Sequence, residues 1–247
     1  NGKTTTATLL YNLFTSLGYY CGLISTIANY IGEEKFETEH TTPDAIALNK
    51  LMALMAERGC EYCFMEVSSH ALDQERVYGL QFRGAIFSNL THDHLDYHNT
   101  FLEYLHCKKR LFDNLPKTAF ALINIDDKNG EVMVQNCKAT VKRYSCRTIA
   151  DFNCKIVEES IEGMMLAIGN NRFWTRFIGA HNAYNLLAVY ATAILLGADR
   201  DEVLVKMSLL KAVAGRLEYV RGGNEITAIW TMPILQTLSK MFSKQFA

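Results

Sequence analysis

The sequence alternates short apolar runs with amphipathic stretches of helical spacing, and this alternation limits the folds open to the chain. Apolar residues recur at helical spacing from Thr4 to Leu17, where Gly18 ends the run. Strand patterns follow at 20–24, 62–67, 83–88 and 119–124, and helical patterns separate them at 43–56 and 100–112. Such alternation predicts an α/β fold, with a mostly parallel sheet of the phosphate-loop type flanked by helices.

The pattern changes in the second half of the chain. Between about residues 141 and 177 it turns to strands and turns, at 139–144, 164–168 and 172–177. We interpret this part as a smaller antiparallel strand extension. Two further helices are predicted at 181–196 and 201–210.

Composition narrows the class of protein. The chain has 247 residues, 49% of them hydrophobic, and a formal net charge of −1. Lysine and arginine are scattered, so no nucleic-acid partner is expected, and no apolar run reaches the length of a membrane span. Seven cysteines form no regular framework, which favours a reduced, cytoplasmic setting. Cys60 and Cys63 form a C-x-x-C pair, which we interpret as core thiols of a strand; a redox or zinc role is the lesser alternative.

The start of the chain has the parts of a phosphate-binding loop. Gly2, Lys3 and Thr4 lead directly into the first helix. In such loops backbone N–H groups, a lysine and a helix N-terminus point at the phosphates, and the hydroxyl after the lysine contacts Mg²⁺. A solvated lysine before a helix cap is the alternative.

Two later segments carry acidic residues and histidines at predicted strand ends. Glu66 ends a buried strand, where an ionised carboxylate needs a partner; a helix-cap contact would be the structural alternative. The segment "NLTHDHLDYH" (89–98) follows the next strand. Because ligands bind at the carboxyl ends of parallel strands, and a phosphate loop is expected nearby, we expect a magnesium site here. A zinc site is the alternative, but no complementary cysteine or histidine pair lies at suitable spacing.

Taken together these segments resemble the Mur ligase family of peptidoglycan synthesis. The motifs that carry the resemblance occur in the family's order and cover residues 1 to about 229: "NGKTT", "TTPDA", "MEVSSHAL", "NLTHDHLDYH", "YLHCKKRLF", "GAHNAYNLLA" and "GRLEY". "EVSSHAL" with "DHLDYH" is similar to the branch that adds the third amino acid. The resemblance implies an ATP- and Mg²⁺-dependent amide ligase acting through an acyl phosphate on UDP-N-acetylmuramoyl-L-alanyl-D-glutamate and a diamino acid, with no membrane partner, and a monomer.

The resemblance also implies roles for individual residues. The phosphate and metal ligands would be Gly2, Lys3, Thr4, Thr5, Glu66, His94 and a carbamylated Lys108, with Lys3 and Lys108 catalytic. Lys109 is adjacent, so the carbamate position is open by one residue, and a solvated helix lysine is the alternative. The muramoyl substrate would meet Thr41, Thr42, Ser68, Gln74 and Arg76, although His40 stands where the family has Asn. ATP would further contact Asn182, Asn185 and Arg216; a helix-capping amide is the alternative for Asn182, and a surface ion pair for Arg216.

Two other functions remain open. A phosphate-loop module that binds nucleotide without ligation has no evident use for a carbamate at Lys108. A folylpolyglutamate-type or D-Ala-D-Ala-adding ligase is disfavoured by "SSHAL" and its spacing to Gln74 and Arg76. The choice between meso-diaminopimelate and L-lysine is not encoded in this part of the family.

Both ends of the sequence depart from the family. We expect residues 1–229 to be its central ATP-binding domain without the first strand and half of the phosphate loop, and therefore inactive alone. Residues 230–247 replace the family's continuation. Back-translation in the next frame forces Asp, Ala and Val at the family's positions, so our hypothesis is an out-of-frame tail. A divergent C-terminal helix is the alternative.

Overall fold

The computed structural model describes residues 1–36, 41–91, 97–213, 218–221 and 227–230. The chain divides into two compact units, residues 1–210 and residues 211–247. In the smaller unit, β11 (Glu218–Arg221) and β12 (Thr227–Trp230) form an antiparallel hairpin. Residues 231–247 lie outside the described part, so the hypothesis of an out-of-frame tail stays a prediction.

The larger unit alternates helices and strands. Its helices are α1 (Lys3–Ser16), α2 (Ala45–Glu57), α3 (Ser69–Asp73), α4 (Phe101–Asp113), α5 (Gly130–Met133), α6 (Ala180–Leu195) and α7 (Arg200–Ser208). Its strands are β1 (Cys21–Ile24), β2 (Asn29–Ile31), β3 (Glu34–Phe36), β4 (Tyr62–Met65), β5 (Gly84–Phe87), β6 (Phe120–Asn124), β7 (Thr140–Ser145), β8 (Phe152–Ser160), β9 (Gly163–Ile168) and β10 (Asn171–Thr175). Within the described ranges, no helix combines the length and the apolar character that a membrane span needs.

These strands form two sheets. The first has the order β3-β2-β1-β4, in which β1 and β4 are parallel and β2 and β3 are antiparallel additions. The second has the order β10-β9-β8-β7-β6-β5, parallel from β5 to β8 and antiparallel from β8 to β10. The predicted α/β class with a smaller antiparallel extension is confirmed.

One assignment within that extension was wrong. The sequence pattern placed residues 139–144 among the antiparallel strands, but β7 pairs parallel with β6, with Leu122 opposite Lys142. Among the described strands of the second sheet, the antiparallel part consists of β8, β9 and β10. The reason is that periodicity reports which face of a strand is buried and carries no information on strand direction.

The buried core fixes the positions of the strands and of the first helix. Every residue of β6 is buried, as expected for a central parallel strand covered on both faces. Helix α1 buries Leu9, Leu13 and Phe14 completely and packs on β1, β4 and α6. At roughly 1.5–3 kcal/mol per buried side chain, these contacts hold the first residues of α1 against the sheets.

The amino end of the chain lies between the two sheets. Among the described residues, β4 pairs only with β1 and β5 pairs only with β6. The Asn1 amine donates to Asn89 Oδ1 at 2.8 Å, and the Ser88 hydroxyl donates to the Asn1 carbonyl at 2.8 Å, both just beyond β5. The Thr4 hydroxyl contacts Glu66, just beyond β4. The start of α1 therefore joins the carboxyl ends of both sheets.

Candidate active site

The first residues of α1 have the backbone geometry that phosphate binding requires. Gly2 has φ +81°, a left-handed conformation that costs side-chain-bearing residues energy. A Cβ at Gly2 would also lie 2.5 Å from Asn185 Oδ1 on α6. The position therefore needs glycine for two reasons, and it delivers Lys3 and Thr4 to the helix N-terminus, where anions bind.

Glu66 is the centre of the site. It is buried, with 6% of its surface exposed, and its backbone N–H donates to Ile24 O, which continues the β1–β4 pairing by one step. Its Oε2 accepts hydrogen bonds from Thr4 Oγ1 and Thr26 Oγ1, both at 2.8 Å, and its Oε1 lies 3.9 Å from Lys3 Nζ. We call these four residues, Lys3, Thr4, Thr26 and Glu66, the phosphate cluster.

The phosphate cluster has the chemistry of a magnesium-phosphate site. A buried carboxylate and two hydroxyl oxygens are hard oxygen donors, the kind that Mg²⁺ prefers. A lysine beside them adds the positive charge that phosphates attract. The Glu66 carboxylate already contacts the Lys3 ammonium group and the hydroxyl groups of Thr4 and Thr26. This arrangement therefore fits a divalent cation bound with nucleotide phosphates. The structural alternative for Glu66, a contact with a helix cap only, does not describe these bonds.

A second group of polar side chains adjoins the phosphate cluster. Thr42 is fully buried, and its hydroxyl donates to the Glu66 carbonyl at 2.9 Å. The Thr41 hydroxyl lies 3.2 Å from that of Thr26. Ser68 caps α3, accepting from Ala71 N at 3.1 Å. Of the threonine pair predicted to meet substrate, Thr42 is thus bonded directly to Glu66, and Thr41 is linked to Glu66 through Thr26.

Gln74 and Arg76 form a pair beyond α3. Arg76 Nε and Nη2 donate to Gln74 Oε1 at 2.9 and 2.6 Å, and Arg76 Nη1 donates to the Thr42 carbonyl at 2.7 Å. Gln74 Nε2 in turn donates to the hydroxyl of Tyr97 at 3.3 Å. We call Thr42, Gln74, Arg76 and Tyr97 the donor cluster.

Helix α4 places two adjacent lysines in different surroundings. Lys109 is buried and pairs with Asp113 at 2.5 Å within the helix. Lys108 is half-buried, with its Nζ 5.2 Å from the ring centre of Tyr104, a cation–π contact. The helix is bonded to α3, because Arg110 donates to the Leu72 carbonyl at 2.8 Å. The two lysines thus differ in burial and in the contact described for each, an ion pair for Lys109 and a cation–π contact for Lys108.

Helix α6 supplies the amides that the sequence placed near ATP. Asn182 and Asn185 are both buried, and Asn185 Nδ2 donates to Asn182 Oδ1 at 3.3 Å. Asn182 Nδ2 donates to the Ile178 carbonyl at 2.9 Å, whereas the N-cap of α6 is Gly179 and has no side-chain hydrogen bond, so Asn182 is not a capping amide. Asn185 faces Gly2, which places the pair beside the phosphate cluster.

The same helix is anchored at the carboxyl end of β6. The Tyr184 hydroxyl donates to Asp126 Oδ2 at 2.7 Å, and Ser145 Oγ and the Cys146 N–H also donate to Asp126. Burial raises the pKa of Asp126, but the hydrogen bonds from Tyr184, Ser145 and Cys146 outweigh it, so the pKa lies below its ordinary value.

Two predicted residues lie outside the described part of the chain, the metal ligand His94 and the ATP ligand Arg216. His98, four positions later in the sequence than His94, is buried and contacts the rings of Tyr97 (edge-to-face) and Tyr104 (tilted) at 4.9 and 5.3 Å between ring centres. Its Nε2 has no hydrogen-bond partner among the described residues.

The comparisons with known proteins show the family to which the chain belongs. Residues 1–193 match the family model described as the Mur ligase middle domain. That match covers well over half of the chain. The chain belongs to the Mur ligase family.

Curated relatives of this Mur ligase chain share one name, UDP-N-acetylmuramoyl-L-alanyl-D-glutamate–2,6-diaminopimelate ligase. The protein from Phocaeicola vulgatus is 58% identical over 229 residues, covering 93% of this chain and 47% of the relative. The protein from Bacillus cereus is 37% identical over 261 aligned residues, covering 100% of this chain and 53% of the relative. The chain thus spans about half the length of the curated relatives it matches.

Solved structures of Mur ligases have the same fold. A structure titled as the 2,6-diaminopimelate ligase matches with a TM-score of 0.82 and 29% identity over 93% of this chain and 48% of that one. MurF ligase from Thermotoga maritima in complex with ADP matches with a TM-score of 0.73 and 18% identity, covering 93% of this chain and 50% of that one, which supports the fold alone.

Several residues of this Mur ligase site had escaped the sequence analysis. Thr26 follows β1 as Glu66 follows β4, so its place after a strand was the available signal. Tyr97 lies in the motif at 89–98, of which the sequence interpretation used only the histidines and aspartates.

The C-x-x-C pair lies partly within β4, and burial raises the pKa of the Cys63 thiol to about 12, which disfavours the thiolate that metal binding or redox chemistry needs.

Proposed function

We propose that this chain contains the ATP-binding centre of a ligase that joins a diamino acid to UDP-N-acetylmuramoyl-L-alanyl-D-glutamate in peptidoglycan synthesis. The observation that carries the proposal is the direct contact between two groups of side chains distant in sequence. Glu66 receives Lys3, Thr4 and Thr26 on its carboxylate and Thr42 on its carbonyl. One strand end therefore serves a phosphate site and a neighbouring donor site at the same time.

The roles of the phosphate cluster follow from its charges. Gly2, Lys3, Thr4 and Thr5 at the start of α1 would hold the β and γ phosphates of ATP, with Lys3 beside the phosphoryl group that is transferred. Thr4 and Glu66 would hold one Mg²⁺, and His94 with a carbamylated Lys108 a second. When bound, these cations offset the negative charge that develops on the phosphoryl oxygens.

The reaction that such a site supports is ATP-driven amide formation. The substrate carboxylate attacks the γ-phosphorus of ATP, and the bond to ADP breaks. The amine of the diamino acid then attacks the resulting acyl phosphate, and inorganic phosphate leaves from the tetrahedral intermediate. Thr41, Thr42, Ser68, Gln74 and Arg76 would hold the muramoyl substrate, and Asn182, Asn185 and Arg216 would contact the nucleotide.

The identity of the amino acid is proposed from the relatives. Two relatives that are more than half identical to the chain over the matched residues are named as ligases of 2,6-diaminopimelate. Both names also give UDP-N-acetylmuramoyl-L-alanyl-D-glutamate as the other substrate. We therefore propose meso-diaminopimelate ahead of L-lysine, a cytoplasmic setting, and a monomer without nucleic-acid or membrane partners. A nucleotide-binding module without ligation is the second candidate, and a carbamate on Lys108 would distinguish the two.

Nucleotide binding tests the proposal directly. Isothermal titration of the chain with a non-hydrolysable ATP analogue should show binding that needs Mg²⁺. Lys3→Met should weaken this binding about 100-fold, since a charge-assisted phosphate contact contributes about 1.5–3 kcal/mol and the metal position beside it is disturbed as well. The matched control is Lys35→Met, which removes an exposed lysine on β3. Equal affinity in both variants, or binding without Mg²⁺, would contradict the proposal.

A further inference from the structure

The donor cluster contains an amide whose orientation is fixed by a residue with no assigned role. Gln74 has an oxygen and an NH₂ group at the end of its side chain, and a rotation of 180° would exchange them. Its oxygen accepts two hydrogen bonds from Arg76, at 2.9 and 2.6 Å. Its NH₂ group donates to the hydroxyl of Tyr97 at 3.3 Å.

The Tyr97 hydroxyl has only one way to satisfy its neighbours. Its proton goes to Asp73 Oδ2 at 2.9 Å, because a carboxylate is an acceptor only. Its oxygen is then left to accept, and the group that faces it must be a donor. The NH₂ group of Gln74 is therefore held toward Tyr97, and the oxygen of Gln74 is held toward Arg76.

The bonds leave a defined set of donors. A guanidinium has five N–H groups, and three of those on Arg76 bond to Gln74 and the Thr42 carbonyl, which leaves two. One N–H of Gln74 remains beside them. These three N–H groups have no partner within the described part of the chain. Gln74 is exposed and Arg76 is half-exposed, so the set is open to a ligand rich in acceptor oxygens.

The backbone between the two side chains is held in a strained form. Glu75 has φ +52° and is the only non-glycine residue with positive φ in the described ranges. It ends α3 in a Schellman motif, with the Arg76 N–H bonded to the Ala71 carbonyl. This turn brings residues 74 and 76 to the same side. A non-glycine residue persists there at a cost of about 1–2 kcal/mol where its surroundings determine the conformation.

The same hydrogen-bond chain reaches the helix of the lysines. Asp73 Oδ1 accepts from Arg110 Nη2 at 3.4 Å, and Arg110 lies two residues beyond Lys108 on α4. The ring of Tyr97 contacts the ring of His70, with 4.0 Å between ring centres and an angle of 47° between the ring planes. Tyr97 is thus held by ring contact and by its hydroxyl, which makes it a fixed support for Gln74.

We propose that Tyr97 is a positioning residue for the muramoyl substrate: with Asp73 it sets the orientation of the Gln74 amide, so that Gln74 and Arg76 together present three N–H donors to one group of substrate oxygens. This inference rests on the proposed function, which assigns Gln74 and Arg76 to the muramoyl substrate. The substrate group it implies is anionic, a carboxylate or a phosphate, because one of the two donors is a guanidinium.

The test compares Tyr97→Phe with Tyr78→Phe by titration with UDP-N-acetylmuramoyl-L-alanyl-D-glutamate in the presence of Mg²⁺ and the ATP analogue. Tyr78→Phe is the control: it makes the same chemical change at a residue that is 77% exposed and lies two positions from Arg76 in the sequence. Tyr97→Phe should weaken dipeptide binding about five- to tenfold, the factor for one lost hydrogen bond. Nucleotide affinity should be unchanged in both variants, and Tyr78→Phe should bind as the original chain does.

A double-mutant cycle decides whether Tyr97 acts through Gln74. In a Gln74→Ala background, Tyr97→Phe should cause no further loss. Losses that add in full, unchanged dipeptide affinity in Tyr97→Phe, or an equal fall in nucleotide affinity would each overturn the inference. If the original chain binds the nucleotide but not the dipeptide, this inference fails while the nucleotide site stands. If it binds neither, the proposed function itself fails.

Discussion

The phosphate cluster and the donor cluster share one strand end but differ in how their polar groups are satisfied. In the phosphate cluster the buried Glu66 carboxylate already contacts the Lys3 ammonium group and two threonine hydroxyl groups. In the donor cluster the exposed Gln74–Arg76 pair leaves N–H groups without a partner among the described residues. The first is prepared for a cation by internal contacts, and the second is prepared for an anion by unused donors.

This difference has a physical reason. A buried carboxylate without partners costs several kcal/mol, so the phosphate cluster must be internally paired before any ligand arrives. An exposed guanidinium is solvated by water, so its donors can wait for the substrate at little cost. If Thr4 holds a metal as proposed, ligand binding should therefore change the contact between Thr4 and Glu66 in the phosphate cluster, whereas in the donor cluster it should only replace water.

The largest expected effect breaks the phosphate cluster while leaving the donor cluster intact. Glu66→Gln keeps the shape of the side chain but removes the charge that would hold Mg²⁺. We expect Mg²⁺-dependent nucleotide affinity to fall about 100-fold, with dipeptide contacts in the donor cluster unaffected. Titration calorimetry with each ligand separately measures this. Glu61→Gln, an exposed residue just before the same strand, is the control. Nucleotide affinity that survives in Glu66→Gln would contradict the assignment.

A smaller effect separates two neighbouring lysines on α4, the helix that is bonded to α3. Lys109→Met removes one partner of a mostly buried ion pair with Asp113 and should cost about 1–3 kcal/mol of unfolding free energy. Lys108→Met should change stability by less than about 0.5 kcal/mol, since the Lys108 side chain is only half-buried. Urea unfolding of the two variants measures the difference.

The same two variants locate the carbamate. With ¹³C-labelled bicarbonate, Mg²⁺ and the ATP analogue, the original chain should show a carbamate carbon signal by NMR. The signal should be lost in Lys108→Met and retained in Lys109→Met. A signal that follows Lys109 instead would move the proposed metal ligand by one residue and would require the ion pair with Asp113 to open.

The sequence was sufficient for the helices and buried strands because their burial pattern is local. Glu66 could be placed at a ligand-binding strand end for the same reason. It was insufficient for β8, whose outer half is exposed and charged and becomes a strand by pairing with β9. It was also insufficient for Thr26 and Tyr97. Their contacts with Glu66 and Gln74 span 40 and 23 positions, and such long-range contacts leave no periodicity in the chain.

The smallest expected effect concerns the anchor that holds α6, and through Asn185 the Gly2 turn, on the phosphate side. Asp126 has a lowered pKa because hydrogen bonds from Tyr184, Ser145 and Cys146 outweigh burial. A carboxyl group whose pKa is lower in the folded state than in the unfolded state stabilises the fold. This stabilisation is fully present at a pH above the pKa of the unfolded state, which is about 4. That stabilisation is lost as the pH falls through the lower, folded value.

Thermal unfolding between pH 7 and pH 3 tests this anchor. Asp126→Asn should be less stable than the original chain at pH 7, and the difference should shrink as the pH drops below about 4, since protonation removes the advantage of the carboxylate. Glu57→Gln, an exposed residue at the end of α2, should run parallel to the original chain at every pH. Nucleotide affinity should weaken in Asp126→Asn, because Asn185 of α6 lies against Gly2 beside the phosphate cluster. A constant stability difference across the whole range would show that the Asp126 carboxylate is not what anchors the helix.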